Sequence, residues 1–190
     1  MITCIDNFLD KNSFLKVQEL LISSEFPWFG GCIHGSIDKE MTDQLKDKKL
    51  KEKIEKSRCS DFFNYHFIHG FYSNDVPESN YFTSYIQPIY NLLNGKSLLR
   101  IKANLMTRTD QPVTSGFHID VSNKEGKCDE RSYTSIFYIN TNNGYTEFVD
   151  GTKVKSIENR MITFHGSCFH SGVTATDEKT RIVLNFNYFK

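Results

Sequence analysis

The chain has 190 residues, of which 38% are hydrophobic and 24% are charged, a composition that suits one globular domain with a core and is short for two. Its 23 basic and 23 acidic residues cancel, so composition indicates no general attraction to nucleic acid or anionic membranes. The five cysteines include no C-x-x-C pair, and neither a signal-peptide pattern nor an apolar run of about 20 residues is present. We therefore expect free thiols and a cytoplasmic location.

The N-terminal part of the chain, about residues 1–96, is predicted to be mainly helical. Capping residues followed by apolar residues at helical spacing predict a helix over about residues 11–24. The charged run at 38–58 predicts a solvated helix or surface segment, and the aromatic stretch at 61–73 predicts a strand. A second helix is expected from near residue 77 to 95, with a kink at Pro88.

From about residue 97 to the end, the pattern changes to short β-like runs separated by turn-rich segments. No long helix lies between these runs, so they do not fit a parallel sheet with crossover helices. An antiparallel sandwich or barrel is expected instead. We therefore predict one domain over residues 1–190, with a β-core at about 97–190.

The stretch GFHIDVS, residues 116–122, raises the first functional question. His118 and Asp120 are two apart, so in a strand their side chains would share one face and Ile119 would point to the other. Such a pair is compatible with a surface accident, with a polar patch in a core, or with two thirds of a metal site.

The stretch FHGSCFHSGV offers two candidate distal ligands, His165 and His170. Two histidines and one carboxylate on one face of the metal are typical of non-haem Fe(II) oxygenases, in which other coordination positions stay open. Arg181 follows His170 by eleven residues and could bind the far carboxylate of a dicarboxylate such as 2-oxoglutarate with its planar guanidinium. This order favours His170, because His165 adjoins an apolar run and lies farther from Arg181.

Together these residues resemble the pattern of the 2-oxoglutarate- and Fe(II)-dependent dioxygenases, in the branch similar to prolyl 4-hydroxylases. That pattern is H-x-D, then a distal His, then Arg or Lys, and it is matched by 118–120, His170 and Arg181. The run IFYIN is similar to a family strand whose Tyr hydrogen-bonds the far carboxylate of 2-oxoglutarate, a role that falls to Tyr138. The resemblance covers about residues 97–190.

One further motif resembles the family pattern but differs from it at one residue. NNGYTEF, residues 142–148, is similar to the family's Gly-Gly-x-Thr-x-Phe turn and strand, but Asn143 replaces the first glycine. Asparagine tolerates the left-handed conformation that such a turn can require.

The resemblance implies a fold, a set of ligands and a reaction. The fold is a double-stranded β-helix, a jelly-roll with iron between two sheets. His118, Asp120 and His170 would bind Fe(II), and Arg181 with Tyr138 would bind 2-oxoglutarate. O2 would be consumed, succinate and CO2 released, and an unactivated C–H bond of a peptide, protein or amino-acid-like substrate hydroxylated, with ascorbate as reductant.

Several alternatives stay open at this stage. Asn104 is a candidate for cosubstrate or substrate contact, although a solvated strand face fits its sequence equally well. A non-catalytic metal-binding module of cupin type, a cupin-like enzyme without 2-oxoglutarate and an oxygenase acting on a small metabolite are the rival functions. Arg181 and Tyr138 argue against a simple metal binder, which needs no carboxylate clamp. The motifs specify neither the substrate nor the oligomeric state, and 28–35, 38–58 and 121–131 are candidate lids.

Overall fold

The computed structural model describes residues 1–32, 45–57, 65–121 and 128–190. The helical segments in these ranges are α1 (Lys11–Ile22), α2 (Lys48–Lys56), a π-helix (Phe82–Ile86) and α3 (Gln87–Asn91). The strands are β1 (Thr3–Ile5), β2 (Phe29–Cys32), β3 (Tyr65–Ser73), β4 (Val76–Pro77), β5 (Ser97–Thr107), β6 (Ser132–Tyr138), β7 (Tyr145–Phe148), β8 (Lys153–Lys155), β9 (Arg160–His165), β10 (His170–Val173) and β11 (Thr180–Phe189).

The strands form two antiparallel sheets, as predicted for a sandwich. The large sheet has the order β1-β9-β6-β11-β5-β3-β2, with β4 paired to β3, and the small sheet has the order β10-β7-β8. Isolated bridges from Thr114 to Val173 and from His118 to His170 attach the segment after β5 to the free edge of β10. The jelly-roll therefore leaves a space between the sheets that is bordered by β5, β6 and β11 on one side and by β7 and β10 on the other.

The outer face of the large sheet is covered by helix α1. Asp10 caps this helix by accepting hydrogen bonds from the backbone N–H groups of Asn12 and Ser13. The buried residues Phe14, Val17 and Leu21 face the sheet, and the Phe14 ring lies 6.0 Å from the ring of Phe137 on β6. Because alternate residues of β6 point to opposite faces, Tyr138 faces the inter-sheet space instead.

The N-terminal part contains strands that were not predicted, because β1 and β2 join the large sheet, whereas β3 (Tyr65–Ser73) lies in the stretch at 61–73 that was predicted to be a strand. The helix predicted near 77–95 is a π-helix followed by the short α3, with Pro88 in the first turn of α3. Proline fits this position because it lacks the N–H that would be unpaired there. In the charged run, α2 covers Lys48–Lys56, and residues 38–44 and 58 lie outside the described ranges.

The run DGTKVKSIEN, residues 150–159, has a turn-rich sequence but contains the short strand β8, and β10 begins at His170 itself. The three cysteines whose side chains are described, Cys4, Cys128 and Cys168, are free thiols. No helix in the described part of the chain is long and apolar enough to cross a membrane.

Candidate metal centre

Three potential metal ligands converge between the sheets. His118, Asp120 and His170 each offer one ligand atom, and these atoms all lie within 4.8 Å of one another. Nε2 of His170 is 3.3 Å from Oδ2 of Asp120, and the two imidazole centroids are 4.8 Å apart. Two imidazoles and one carboxylate at this spacing fit a single divalent cation and match the donor set of facial-triad Fe(II) sites.

Backbone pairing places the two histidines side by side. The N–H of His118 donates to the carbonyl of His170 at 2.9 Å, and the N–H of His170 donates back at 3.0 Å. Directly paired antiparallel residues have side chains on the same face, so both imidazoles point into the same space. The strand expected at H-x-D is thus an extended segment held by bridges, and Phe117 before it packs against Ile54 of α2.

A second contact orients each imidazole. Nδ1 of His118 lies 2.9 Å from the carbonyl oxygen of Gly116, and Nδ1 of His170 lies 3.0 Å from that of Cys168. A carbonyl oxygen only accepts, so each Nδ1 carries the proton and donates it. In a neutral ring with this tautomer, Nε2 keeps the lone pair with which imidazole binds a metal.

The carboxylate of Asp120 is held by donors from the large sheet. The Thr134 hydroxyl donates to Oδ2 at 3.1 Å, and the Asn185 amide nitrogen lies 3.0 Å and 3.1 Å from the two oxygens. Arg100 donates to the Asp120 carbonyl at 3.0 Å and lies 3.5 Å from Oδ1. These contacts fix the orientation of a side chain that is only 2% exposed.

The protonation states favour metal binding. Burial raises the pKa of Asp120, but His170, His118 and Arg100 outweigh that effect and hold the pKa well below its usual range. Burial, reinforced by the neighbouring His170, lowers the pKa of His118 to about 4. At neutral pH the cluster therefore presents a carboxylate and a neutral imidazole, which are the metal-binding forms.

His165, the other candidate for the distal ligand, lies elsewhere. Its Nδ1 is 2.7 Å from the Ser167 hydroxyl, and its Nε2 is 2.7 Å from the carbonyl oxygen of Glu130. Its ring packs edge-on against Tyr133. Within the described residues, the group of side chains with metal-ligand spacing consists of His118, Asp120 and His170.

A buried guanidinium faces the same space farther along β11. Arg181 is 3% exposed; its Nε donates to the Ser156 hydroxyl at 2.9 Å, its Nη2 donates to Thr146 Oγ1 at 3.0 Å, and its Nη1 lies 3.8 Å from the sulfur of Met106. None of these partners is charged, and no carboxylate in the described ranges pairs with Arg181. Burial lowers the pKa of this guanidinium. A buried cation without a counter-ion is costly, and a bound anion would remove that cost.

Tyr138 lies beside this guanidinium. The centroid of its ring is 5.6 Å from the guanidinium carbon of Arg181, and its hydroxyl donates to Thr146 Oγ1 at 2.7 Å. Burial raises the pKa of Tyr138, so its hydroxyl stays protonated at neutral pH. Thr146 accepts from both side chains and keeps its own hydroxyl hydrogen to donate. The three groups together form a donor cluster suited to an anion.

Two glycines keep room beside the donor cluster. A Cβ at Gly144 would lie 2.8 Å from Cδ of Arg181, and a Cβ at Gly172 would lie 3.4 Å from its Nη1. Asn143 does not contact the guanidinium. Its backbone N–H donates to the Asp177 carboxylate, and its side-chain amide donates to the Thr176 hydroxyl. It does not adopt a positive φ, so the departure from the family motif needs no left-handed turn.

Strand β5 contributes a polar face that includes Asn104, which was a candidate contact residue from the sequence. Asn104 pairs with Val183 and lies on the same face of β5 as Lys102 and Met106, so it borders the inter-sheet space. Arg100 is on this face too and reaches Asp120. The alternation in RIKANLM was visible in the sequence, but it did not reveal that this polar face is covered by the small sheet.

Solved structures of similar fold come from distant proteins. A prolyl hydroxylase from Trichoplax adhaerens, in complex with a hypoxia-inducible-factor peptide fragment, is 16% identical to this chain and superposes with a TM-score of 0.57. The match covers 99% of this chain and 83% of the hydroxylase. The viral collagen prolyl hydroxylase of Paramecium bursaria Chlorella virus-1, in a 2-oxoglutarate complex, is 14% identical with a TM-score of 0.55. The match covers 100% of this chain and 96% of the viral enzyme. The fold is that of the 2-oxoglutarate/Fe(II) oxygenases. The predicted double-stranded β-helix is therefore confirmed.

A third structure shows how far one such fold extends chemically. SnoN, a non-haem α-ketoglutarate-dependent epimerase from nogalamycin biosynthesis, is 12% identical with a TM-score of 0.58, covering 100% of this chain and 76% of its own. No protein-family model and no curated protein sequence matches the chain. At such low identities the likeness defines the fold, and function has to be argued from the site.

Proposed function

We propose that this protein is an Fe(II)- and 2-oxoglutarate-dependent dioxygenase that hydroxylates an unactivated C–H bond. One observation carries the proposal: the buried guanidinium of Arg181, which lacks a carboxylate partner in the described residues, shares an inter-sheet space with the metal triad. Arg181 and Asn185 lie on the same face of β11, and Asn185 contacts Asp120. A dicarboxylate that also binds the metal would bridge these two points.

The triad residues and their partners would hold the iron. His118 and His170 would donate their Nε2 lone pairs, and Asp120 would supply the anionic ligand that Thr134 and Asn185 keep in place. Three protein ligands leave the remaining coordination positions for cosubstrate and O2. The bound iron would supply O2 activation, coupled to the conversion of 2-oxoglutarate to succinate and CO2 while one oxygen atom enters the substrate.

The donor cluster around Arg181 would hold the far carboxylate of 2-oxoglutarate. Among the described residues, the sulfur of Met106 is the partner found for Nη1 of Arg181, and the Thr146 hydroxyl has a hydrogen to donate. A carboxylate would receive both hydrogen bonds and neutralise the guanidinium, so binding would remove the cost of a buried charge. Gly144 and Gly172 leave the room that such a ligand needs.

A peptide, protein or amino-acid-like substrate is our first candidate. Its support is the likeness to two prolyl hydroxylases, one of them solved with a peptide fragment. The likeness to SnoN, an epimerase from nogalamycin biosynthesis, supports a small metabolite as the second candidate. The common requirement of both is O2 and 2-oxoglutarate.

Succinate formation tests the proposal without knowledge of the substrate. The purified protein with Fe(II), ascorbate, O2 and 2-oxoglutarate should form succinate slowly by uncoupled turnover. Asp120→Ala and Arg181→Ala should each abolish it, whereas Lys16→Met, a change of an exposed lysine on α1, should leave the rate unchanged. A wild-type protein that binds iron but neither binds nor converts 2-oxoglutarate would point to the non-catalytic metal-binding module instead.

A further inference from the structure

Lys102 is a second cation in the inter-sheet space, half-buried and on the metal side. It lies on β5 directly opposite Asn185 of β11, whose amide contacts the Asp120 carboxylate. Arg100, two residues earlier on the same face of β5, also reaches Asp120. The side chain of Lys102 therefore points into the space beside the metal ligands, while Arg181 lies four residues from Asn185 along β11.

The ammonium group of Lys102 has no partner in the described residues that would balance its charge. No hydrogen bond or ion pair to Lys102 is found there, and Asp120 is already engaged by Thr134 and Asn185. Burial lowers the pKa of Lys102 to about 8, with a contribution from neighbouring Arg100 that Asp120 only partly opposes. A bound metal would add more positive charge nearby. An anion is the ligand that would stabilise this group.

Asn185, which lies opposite Lys102, has a side-chain carbonyl oxygen that is available as a hydrogen-bond acceptor. Its amide nitrogen donates to both oxygens of Asp120, so its carbonyl oxygen must point away from that carboxylate. This oxygen is buried and has no hydrogen-bond partner among the residues that the structure describes, and Asn185 is only 5% exposed. A buried amide oxygen without a partner is uncommon in native proteins, and an N–H or O–H donor would satisfy it.

We propose that Lys102 and Asn185 form the recognition point for the substrate, which presents a carboxylate to Lys102 and an adjacent N–H or O–H donor to the Asn185 carbonyl oxygen. This proposal rests on the proposed function, because it names the substrate class of the same site. A free or N-acylated amino acid, or the C-terminal residue of a peptide, has both groups side by side. An internal peptide segment has no such carboxylate beside its N–H and fits less well.

A matched pair of small probes tests this proposal by binding rather than by turnover. N-acetylglycine carries a carboxylate next to an N–H, and N-acetylglycinamide has the same shape without the charge. Each is titrated calorimetrically, without O2, into the protein loaded with Fe(II) and saturated with 2-oxoglutarate. We expect the wild-type protein to bind the acid at least about tenfold more tightly than the amide, a difference of about 1.4 kcal/mol.

Variants of Lys102 assign the preference to its charge. Lys102→Met keeps a long side chain without the ammonium and should abolish the preference for the acid, and Lys102→Arg should keep part of it. Lys16→Met, at an exposed position, should bind both probes as the wild-type protein does. Lys102→Gln provides a polar neutral substitute if the methionine variant does not fold.

The outcomes separate this proposal from the proposed function. Equal binding of acid and amide by the wild-type protein, or a preference that survives in Lys102→Met and Lys102→Gln, would overturn it. A loss of 2-oxoglutarate affinity in the Lys102 variants like that of Arg181→Ala would assign Lys102 to the cosubstrate and overturn it too. Failure of the wild-type protein to bind 2-oxoglutarate at all would instead refute the dioxygenase itself.

Discussion

The metal end and the Arg181 end of the inter-sheet space are both buried, but their charges are balanced in opposite ways. At the metal end, the Asp120 carboxylate is surrounded by hydrogen-bond donors, and two imidazoles turn their Nε2 atoms toward it. At the other end, the hydrogen-bond partners of the Arg181 guanidinium within the described residues are all neutral. One end therefore presents a set of metal ligands, and the other lacks an anion.

This difference shows what kind of ligand the space is built for. A ligand-free protein that keeps uncompensated groups at both ends gives up stability that the bound ligands would restore. The two ends should also be separable by mutation, because no described side chain belongs to both donor sets. Changes at one end should remove iron, and changes at the other should remove 2-oxoglutarate while iron stays.

The largest expected effect is the loss of iron from ligand variants. His118→Ala, Asp120→Ala and His170→Ala should each lose Fe(II), because changes to residues that only support a ligand already cost about 10–100-fold in metal affinity. Metal content measured by mass spectrometry after anaerobic loading and desalting checks this. His165→Ala serves as the control, since both of its ring nitrogens have partners away from the triad. Should His165→Ala empty the site while His170→Ala keeps its metal, our assignment of the distal ligand is wrong.

Arg181 is expected to matter for the cosubstrate and hardly for iron. Arg181→Ala should lower the affinity for 2-oxoglutarate about 30-fold or more, on the order of 2–5 kcal/mol, because the bound carboxylate would lose its buried partner. Arg181→Lys keeps the charge without the planar fork and should cost less. Titration of 2-oxoglutarate into the anaerobic Fe(II) protein, followed by its metal-to-ligand charge-transfer absorption, measures both.

Two further variants sharpen this result. Tyr138→Phe removes one hydroxyl donor near the carboxylate and should cost about 1.5–3 kcal/mol in 2-oxoglutarate binding. Arg181→Met should leave the ligand-free protein at least as resistant to thermal unfolding as the wild type, because an apolar side chain replaces a buried charge without a counter-ion. Unchanged 2-oxoglutarate affinity in Arg181→Ala would remove the main support for the dioxygenase.

The H-x-D pair and the β-core could be proposed from local spacing, whereas His170 and Arg181 were proposed from the order of residues that resembles the family pattern. H-x-D aligns two side chains within three residues, and the alternating runs after residue 97 have the period of strands. The strand β1, at the edge of the large sheet, has no such signal in its sequence. The strand β1 has three exposed residues, and its partner β9 begins over 150 residues later in the chain.

Lys102, Asn185 and Arg100 were missed as part of the site for a related reason. Their sequence pattern is that of a polar strand face, and the same alternation describes a face in water and a face covered by a second sheet. The pairing of β5 with β11 and the position of the small sheet decide between the two. Both are long-range features, so no window of neighbouring residues contains the information.

The smallest expected effect comes from Gly144, which touches the Arg181 end alone. A Cβ here would lie 2.8 Å from three atoms: Cδ of Arg181, Oδ1 of Asn142 and the backbone oxygen of Val173. The backbone oxygen belongs to β10 and cannot yield as a flexible side chain does, so Gly144→Ala should cost about 1–3 kcal/mol of stability. It should also displace the guanidinium and weaken 2-oxoglutarate binding about tenfold, or about 1.4 kcal/mol, with iron content unchanged. Gly31→Ala is the matched control, because a Cβ there meets nothing within 4 Å. If Gly144→Ala binds 2-oxoglutarate as the wild type does but loses iron, the two ends are not independent, and the comparison between them fails.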